Sequence, residues 1–237
     1  MKVIRFRVEG LINSFRIPFF RTYHKTFLAP PKATVIGMLC NISLKPQKEF
    51  FEILNEDKIK LSVVINSIEG RGKDLWSYKT LDKKNRGKSV IRRDKLFMAN
   101  YMIYLKVEDE VLYKEILNNL QNPKNTPSLG LDDELVSIFD IKDINLIKNN
   151  SNRIDSVFLD KDISYKAFVK DIGSVIELPT ANLTPTKFKA FDSKGKIIPR
   201  EVTEEFRQVE FINCEIEFQD SFESFKDEEL NNRLVFY

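Results

Sequence analysis

KVIRFRVEG, residues 2–10, has a period of two: Ile4, Phe6 and Val8 fall on one face and Val3, Arg5 and Arg7 on the other. It reads as a strand with one apolar face to bury and one basic face. About twenty residues without periodicity follow, Gly10 to Pro30, rich in Phe, Arg and Tyr, a length at which loops are usually functional. Pro30-Pro31 then introduces an apolar run. Proline is tolerated in a helix's first turn because its missing N–H would be unpaired there anyway, so the pair predicts a helix over about 31–42. KIKLSVVINSI, 58–68, reads as a strand on β-branched content, and ANYMIYLKV, 99–107, alternates again with Tyr101, Ile103, Leu105 and Val107 inward. Leu112, Ile116 and Leu120, with Leu117 beside them, predict a helix over 109–121 that Asn122-Pro123 ends. LVSIFDIKDINLI, 135–147, supplies another strand.

The order strand, helix, strand, strand, helix, strand is that of the ferredoxin-like (RRM-like) βαββαβ unit, an α+β fold in which two helices cover one face of a sheet. Residues 1–148 are assigned to it, and 149–237 to a smaller β-rich C-terminal region. There SYKAFV, GSVIELP and VEFINCEIEF read as strands and FESFKDEELNNRLVFY as an acidic tail. No Gly/Ser linker or internal repeat divides the chain.

In such a unit the second and third strands meet in a tight hairpin, yet here residues 69–98 separate them. They carry ten Lys/Arg together with Trp76 and Tyr78. This composition suits a long hairpin arm, a thumb, reaching along a nucleic-acid strand, where aromatics stack on bases and cations meet phosphates.

The 237 residues, 42% hydrophobic and 31% charged, are enough for one large or two small domains with a real core. No stretch approaches the roughly 18 apolar residues of a membrane span, and the alternating start lacks a signal peptide's apolar block, so a cytoplasmic protein is expected. Cys40 and Cys214 have no metal-binding spacing and are expected reduced and buried. The formal charge of +3 hides a segregation: residues 1–32 and 70–95 hold 17 of 38 bases but 4 of 35 acids, a net of +13. A phosphate polymer uses such concentration best, because each neutralised phosphate releases counterions.

The start of the Pro31 helix, with free N–H groups, Lys32 and the Thr34 hydroxyl, is a candidate anion site. His24 is the only histidine, which excludes paired-histidine metal sites and two-histidine ribonuclease chemistry. Tyr23-His24-Lys25 holds the residue types of metal-independent RNA cleavage, but in an extended segment Tyr23 and Lys25 face away from His24, which favours phosphate or base contact. Gly87-Lys88-Ser89 lacks the rest of a P-loop, and Asp132-Asp133-Glu134 reads as a solvated turn; no metal or cofactor is expected. The RNA-binding candidates are Arg16, Arg21, Tyr23, His24 and Lys25 in the loop, Lys32 and Thr34 at the helix start, and Arg71, Lys73, Trp76, Lys79, Arg86, Lys88, Arg92 and Arg93 in the arm.

Several blocks together resemble the Cas-five family of CRISPR-associated proteins, in the RAMP superfamily. They are the first strand ending in Gly10, Ser14-Phe15-Arg16, Phe27 to Leu39 with its Pro-Pro-Lys-Ala-Thr core, Arg92-Arg93-Asp94-Lys95-Leu96, and Pro127-Ser128-Leu129-Gly130. The resemblance covers about residues 1–145 and is nearest the type I-B branch. It implies a non-catalytic subunit of a type I interference (Cascade) complex that grips the five-prime handle of the crRNA and caps the backbone filament. The implied partners are the crRNA handle, a Cas-seven-type backbone subunit, a large Cas-eight-type subunit and, through the complex, target DNA, with no membrane. It also implies that 69–98 is the thumb that bends the handle, that Lys32 and Thr34 meet handle phosphates, and that Gly37 packs closely against the sheet. The type I-C branch cleaves the guide precursor with a tyrosine, a lysine and a histidine; here no histidine lies in the insertion or after it, which argues against cleavage. The alternatives are an endoribonuclease built on Tyr23, His24 and Lys25, and a generic single-stranded RNA-binding module.

Overall fold

The 2–10 strand extends to β1, Lys2–Asn13, in a computed structural model that describes residues 1–18, 20, 23–79, 87–159, 165–169, 180–210 and 214–237. Two short strands, β2 (Phe15–Arg16) and β3 (Thr26–Phe27), pair with each other. Helix α1, Lys32–Ser43, starts on Pro31, whose backbone is extended, and closes on Leu44 in the left-handed region at φ 57°. Helix α2, Gln47–Asn55, has no counterpart in the sequence reading, because in nine residues the helical period repeats barely twice and Phe50-Phe51 and Ile53-Leu54 read as adjacent pairs. Strands β4 (Ile59–Lys79) and β5 (Lys88–Val107) are followed by α3 (Glu110–Gln121), capped by the Asp109 carboxylate at the amides of Val111 and Leu112, and by β6 (Val136–Asn145).

These strands form an antiparallel sheet in the order β4-β5-β1-β6. The alternation of β1 and β5 holds: Ile4, Phe6, Val8, Tyr101, Ile103 and Leu105 are all fully buried on one face. Val35, Ile36, Leu39, Leu54, Ile116 and Leu120 pack against them, so three helices rather than two cover that face. Gly37, expected to pack closely against the sheet, does not; a Cβ there would meet only the edge of the Phe50 ring, at 4.0 Å.

β4 and β5 stay paired from Ile59↔Val107 through Asp74↔Arg93 to Lys79↔Lys88, so 66–79 and 88–98 continue the sheet as a two-stranded ribbon. Arg86 and Arg21 lie outside the described residues. The register puts Trp76, Tyr78 and Arg93 on one ribbon face and Arg71, Lys73, Lys79, Lys88 and Arg92 on the other.

The other sheet face departs most from expectation. After β7 (Ile147–Ile154) and β8 (Phe158–Leu159) the chain forms β9 (Tyr165–Val169), β10 (Thr180–Phe191), β11 (Ile197–Glu210), β12 (Cys214–Asp227) and β13 (Asn232–Leu234). Part of this region pairs as β10-β11-β8 and part as β13-β12-β7, with β9 also on β12; the GSVIELP segment lies outside the described residues. The stretch read as an acidic tail is the end of β12, a turn and β13, folded against β1 and β5. Asp227 and Glu229 bond the Arg5 guanidinium at 2.6 and 2.7 Å, and Tyr104 Oη donates to Asp227 at 2.9 Å. Arg5 is therefore 2% exposed, and the supposed basic face of β1 is half core. Tyr237 exchanges both backbone hydrogen bonds with Leu61 on β4 and lies between the rings of Phe158 and Phe206. Cys40 is buried, which pushes its thiol up to about 11; the Cys214 side chain is outside the described set. No helix among the described residues is long and apolar enough to cross a membrane.

Removing one partner of a buried ion pair leaves the other uncompensated, so Asp227→Ala is expected to lower unfolding free energy by about 3–5 kcal/mol. Glu223→Ala, which breaks the solvent-exposed pair with Lys148, should cost under about 1 kcal/mol. Equal effects in denaturant titrations would show that the C-terminal strands are not docked through Arg5.

Candidate nucleic-acid interface

β1 accompanies β5 only as far as Asn13↔Leu96, which leaves the β5 edge beyond it open. Residues 23–25 take that edge. The His24 N–H donates to Arg92 O at 2.8 Å, the Asp94 N–H donates to His24 O at 2.9 Å, and the Ile17 N–H donates to Lys25 O at 2.8 Å. The loop between β1 and α1 is thereby stitched to the base of the ribbon, a contact between residues some 70 apart that spacing could not reveal.

A cavity of about 700 Å³ opens where they meet, bordered by Arg16, His24, Lys25, Thr34, Trp76 and Arg93 among others. Six sequence candidates from three segments thus converge. Trp76 is 47% exposed; the Arg93 guanidinium lies 4.8 Å from its ring centre, and Arg93 Nε donates to Asp74 at 3.1 Å across the ribbon. Tyr78 continues the aromatic row 6.0 Å from Trp76. Partial burial, then the positive charges of Arg16 and Arg93, hold the His24 pKa below its ordinary 6.5, so a neutral imidazole faces the cavity at neutral pH. Tyr23 does not border it; its ring packs on Phe20 at 5.0 Å and under the Arg92 guanidinium at 5.4 Å. Asp94, Asp132 and Asp133 share the rim, which makes the site mixed in charge, with a cationic side at Arg16, Lys25 and Arg93.

Lys32 corrects the expected anion site. It is 2% exposed and ion-paired with Asp57, which also receives Lys60 at 2.6 Å. Burial lowers the Lys32 pKa against the pull of Asp57. The head of α1 is filled from within: the Lys32 ammonium lies 6.0 Å from the centre of the buried Tyr237 ring, and the amides of Thr34 and Val35 close on Pro31 O. Of the expected pair only Thr34 reaches the cavity. The reason is tertiary, since a β-strand edge and the C-terminal residues occupy the space that the helix start alone leaves open.

Glu134, read as part of a solvated turn, is 3% exposed, while Asp132 and Asp133 are exposed as expected. Its carboxylate accepts from the Ser14 amide at 2.7 Å, the Ser14 hydroxyl at 2.5 Å, the Leu131 amide at 2.9 Å and the Lys95 ammonium. Gly130 makes this possible: its φ is +119°, and a Cβ would stand 2.6 Å from the Ser14 carbonyl oxygen and 2.0 Å from Glu134 Oε2. Among the described residues no group of three or more His, Cys, Asp or Glu could hold a metal ion.

The family model described as CRISPR-associated protein (Cas_Cas5) matches residues 3–164. Among solved structures, a chain of a CRISPR RNA-guided surveillance complex superposes with a TM-score of 0.54 at 15% identity, covering 90% of each chain. A CRISPR protein from Archaeoglobus fulgidus gives 0.53 at 14% identity, covering 99% of this chain and 98% of that one. No curated protein matches the sequence.

Two outcomes test this geometry. The His24 ring, followed by NMR, should titrate with a midpoint below 6.5, and the midpoint should rise in Arg16→Gln. The unfolded chain then binds the proton that the folded one refuses, so stability falls as pH drops through that range. Gly130→Ala should destabilise by about 1–3 kcal/mol from backbone strain alone, and more through its clash with Ser14; an unchanged melting curve would remove Gly130 from the support of the cavity.

Proposed function

Because the chain belongs to the CRISPR-associated protein (Cas_Cas5) family, we propose that it is a non-catalytic, cytoplasmic subunit of a type I interference complex that binds and caps the five-prime handle of the crRNA. The observation that carries this reading is the convergence of Arg16, His24, Lys25, Trp76 and Arg93 on one cavity at the root of a protruding ribbon. Stacking on exposed aromatics beside cations is how unpaired RNA is held. The order β4-β5-β1-β6 with helices on one face supports a ferredoxin-like βαββαβ domain over 1–148, the ribbon its thumb and 149–237 its β-rich appendage. A Cas-seven-type backbone subunit and a Cas-eight-type large subunit are the proposed protein partners, with target DNA reached through the complex.

Cleavage is the second reading, favoured by one observation: a neutral imidazole beside Lys25 is suited to take a 2′-hydroxyl proton. Against it, the tyrosine of the triplet packs away from the cavity onto Phe20 and Arg92.

The test is binding of the chain, with and without backbone subunits, to crRNA with and without its handle, read also on denaturing gels. Handle-dependent assembly with intact RNA is expected. Cutting by wild type but not by His24→Ala would overturn the non-catalytic assignment, and equal weak binding to both RNAs would leave only a generic RNA-binding module. Trp76→Ala should weaken handle binding by about 1–3 kcal/mol. Arg16→Gln should reduce the slope of log K against log salt by about 1, whereas Lys32→Met should lower stability and leave that slope alone.

A further inference from the structure

A second cavity, a groove of about 480 Å³, runs along α1 between α2, the 128–132 turn and Arg200 of β11. It shares Thr34, Gly130 and Asp132 with the first cavity, so the two adjoin over the first turn of α1. Gly37 lies on its floor. A glycine in a helix interior is unfavourable relative to any straight-chain residue, and nothing in this fold requires one here. Its φ is not positive, and a Cβ would touch only the Phe50 ring edge. What the missing side chain leaves is bare helix backbone open to the groove, the circumstance in which glycine admits the close approach of a ligand.

The groove's chemistry differs from that of the first cavity. Lys45, on its rim, is already paired with Glu49 and Glu115, and Thr34, Asn41, Gln47 and Ser128 are neutral hydrogen-bonding groups. Phe50 supplies a half-buried ring as a wall, and Arg200 approaches from the far side, its guanidinium 5.3 Å from the Phe51 ring. Cations beside an exposed indole suit phosphates, whereas neutral donors and acceptors with one carboxylate, Asp132, and one guanidinium, Arg200, beside an aromatic wall suit a base edge and face. We infer that this groove receives one unstacked base of the RNA strand whose backbone occupies the first cavity, and that it is where the chain distinguishes one handle nucleotide from another. The inference rests on the reading of the first cavity as the RNA site.

The test uses the full chain in its complex and a crRNA series in which one handle nucleotide at a time lacks its base. Gly37→Leu should keep or raise the melting temperature, since leucine favours the helix, yet bind intact crRNA at least about fivefold more weakly, the low end of losing one stacked base. One abasic RNA should bind wild type as weakly, with no further loss when combined with Gly37→Leu. Arg200→Gln, a change outside the helix, should weaken binding to intact RNA but not to that abasic RNA. Unchanged binding by both variants, with wild type still preferring handle-bearing RNA, would overturn this inference alone. Absence of handle preference in wild type would overturn the first-cavity reading, and this one with it.

Discussion

The buried carboxylate of Glu134 sets where the walls of the first cavity stand. A desolvated charge must be paired and hydrogen-bonded or it destabilises the fold, and this one is satisfied within its own turn by the Leu131 amide and from two distant places, Ser14 just after β1 and Lys95 at the root of the ribbon. Holding them on one carboxylate sets the distance between the loop after β1 and the ribbon. The bridge of His24 to Arg92 and Asp94 then aligns the loop along the β5 edge. Gly130 is part of the same constraint, because only a residue without a Cβ lets the turn pass so close to Ser14.

The charge pattern takes a different meaning in three dimensions. Along the chain, 1–32 and 70–95 are strongly basic; in the fold, Arg5, Lys32, Arg93 and Lys95 each have a carboxylate partner, one of them from the acidic C-terminal third. The basic and acidic stretches thus partly neutralise one another inside the molecule. What stays available to a phosphate chain is narrower than the sequence total, and lies in Arg16, Lys25 and the ribbon. Arg93 retains an exposed neighbour in Trp76, so its pairing orients a guanidinium over an indole rather than removing it from the site.

The family was legible in the sequence because the Pro-Pro-Lys-Ala-Thr block, the Arg-Arg-Asp-Lys run and the Pro-Ser-Leu-Gly turn sit at structural joints. Pro31 starts α1, Lys95 closes the ribbon on Glu134, and Gly130 turns beneath Ser14. Their roles were less legible than their presence. Lys32 stands at a helix start, where a cation suggests an anion, yet its partner is Asp57, 25 residues away. Glu134 ends a run of acids that looks solvated, and its burial follows only from Lys95 crossing to it.

By itself the sequence determined the period-two faces of β1 and β5, the entry of α1 at Pro31, the α3 stripe and the concentration of cations and aromatics around 70–95, because each depends on neighbours within a turn or a strand. The tertiary structure alone decided that Arg5, on the second face of β1, is buried under Asp227, that residues 23–25 extend the β5 edge, and that Lys32 is internal while Thr34 and Gly37 border open grooves. These depend on which segments, tens to hundreds of residues apart, come to share a carboxylate or a strand edge, and local periodicity carries no record of that.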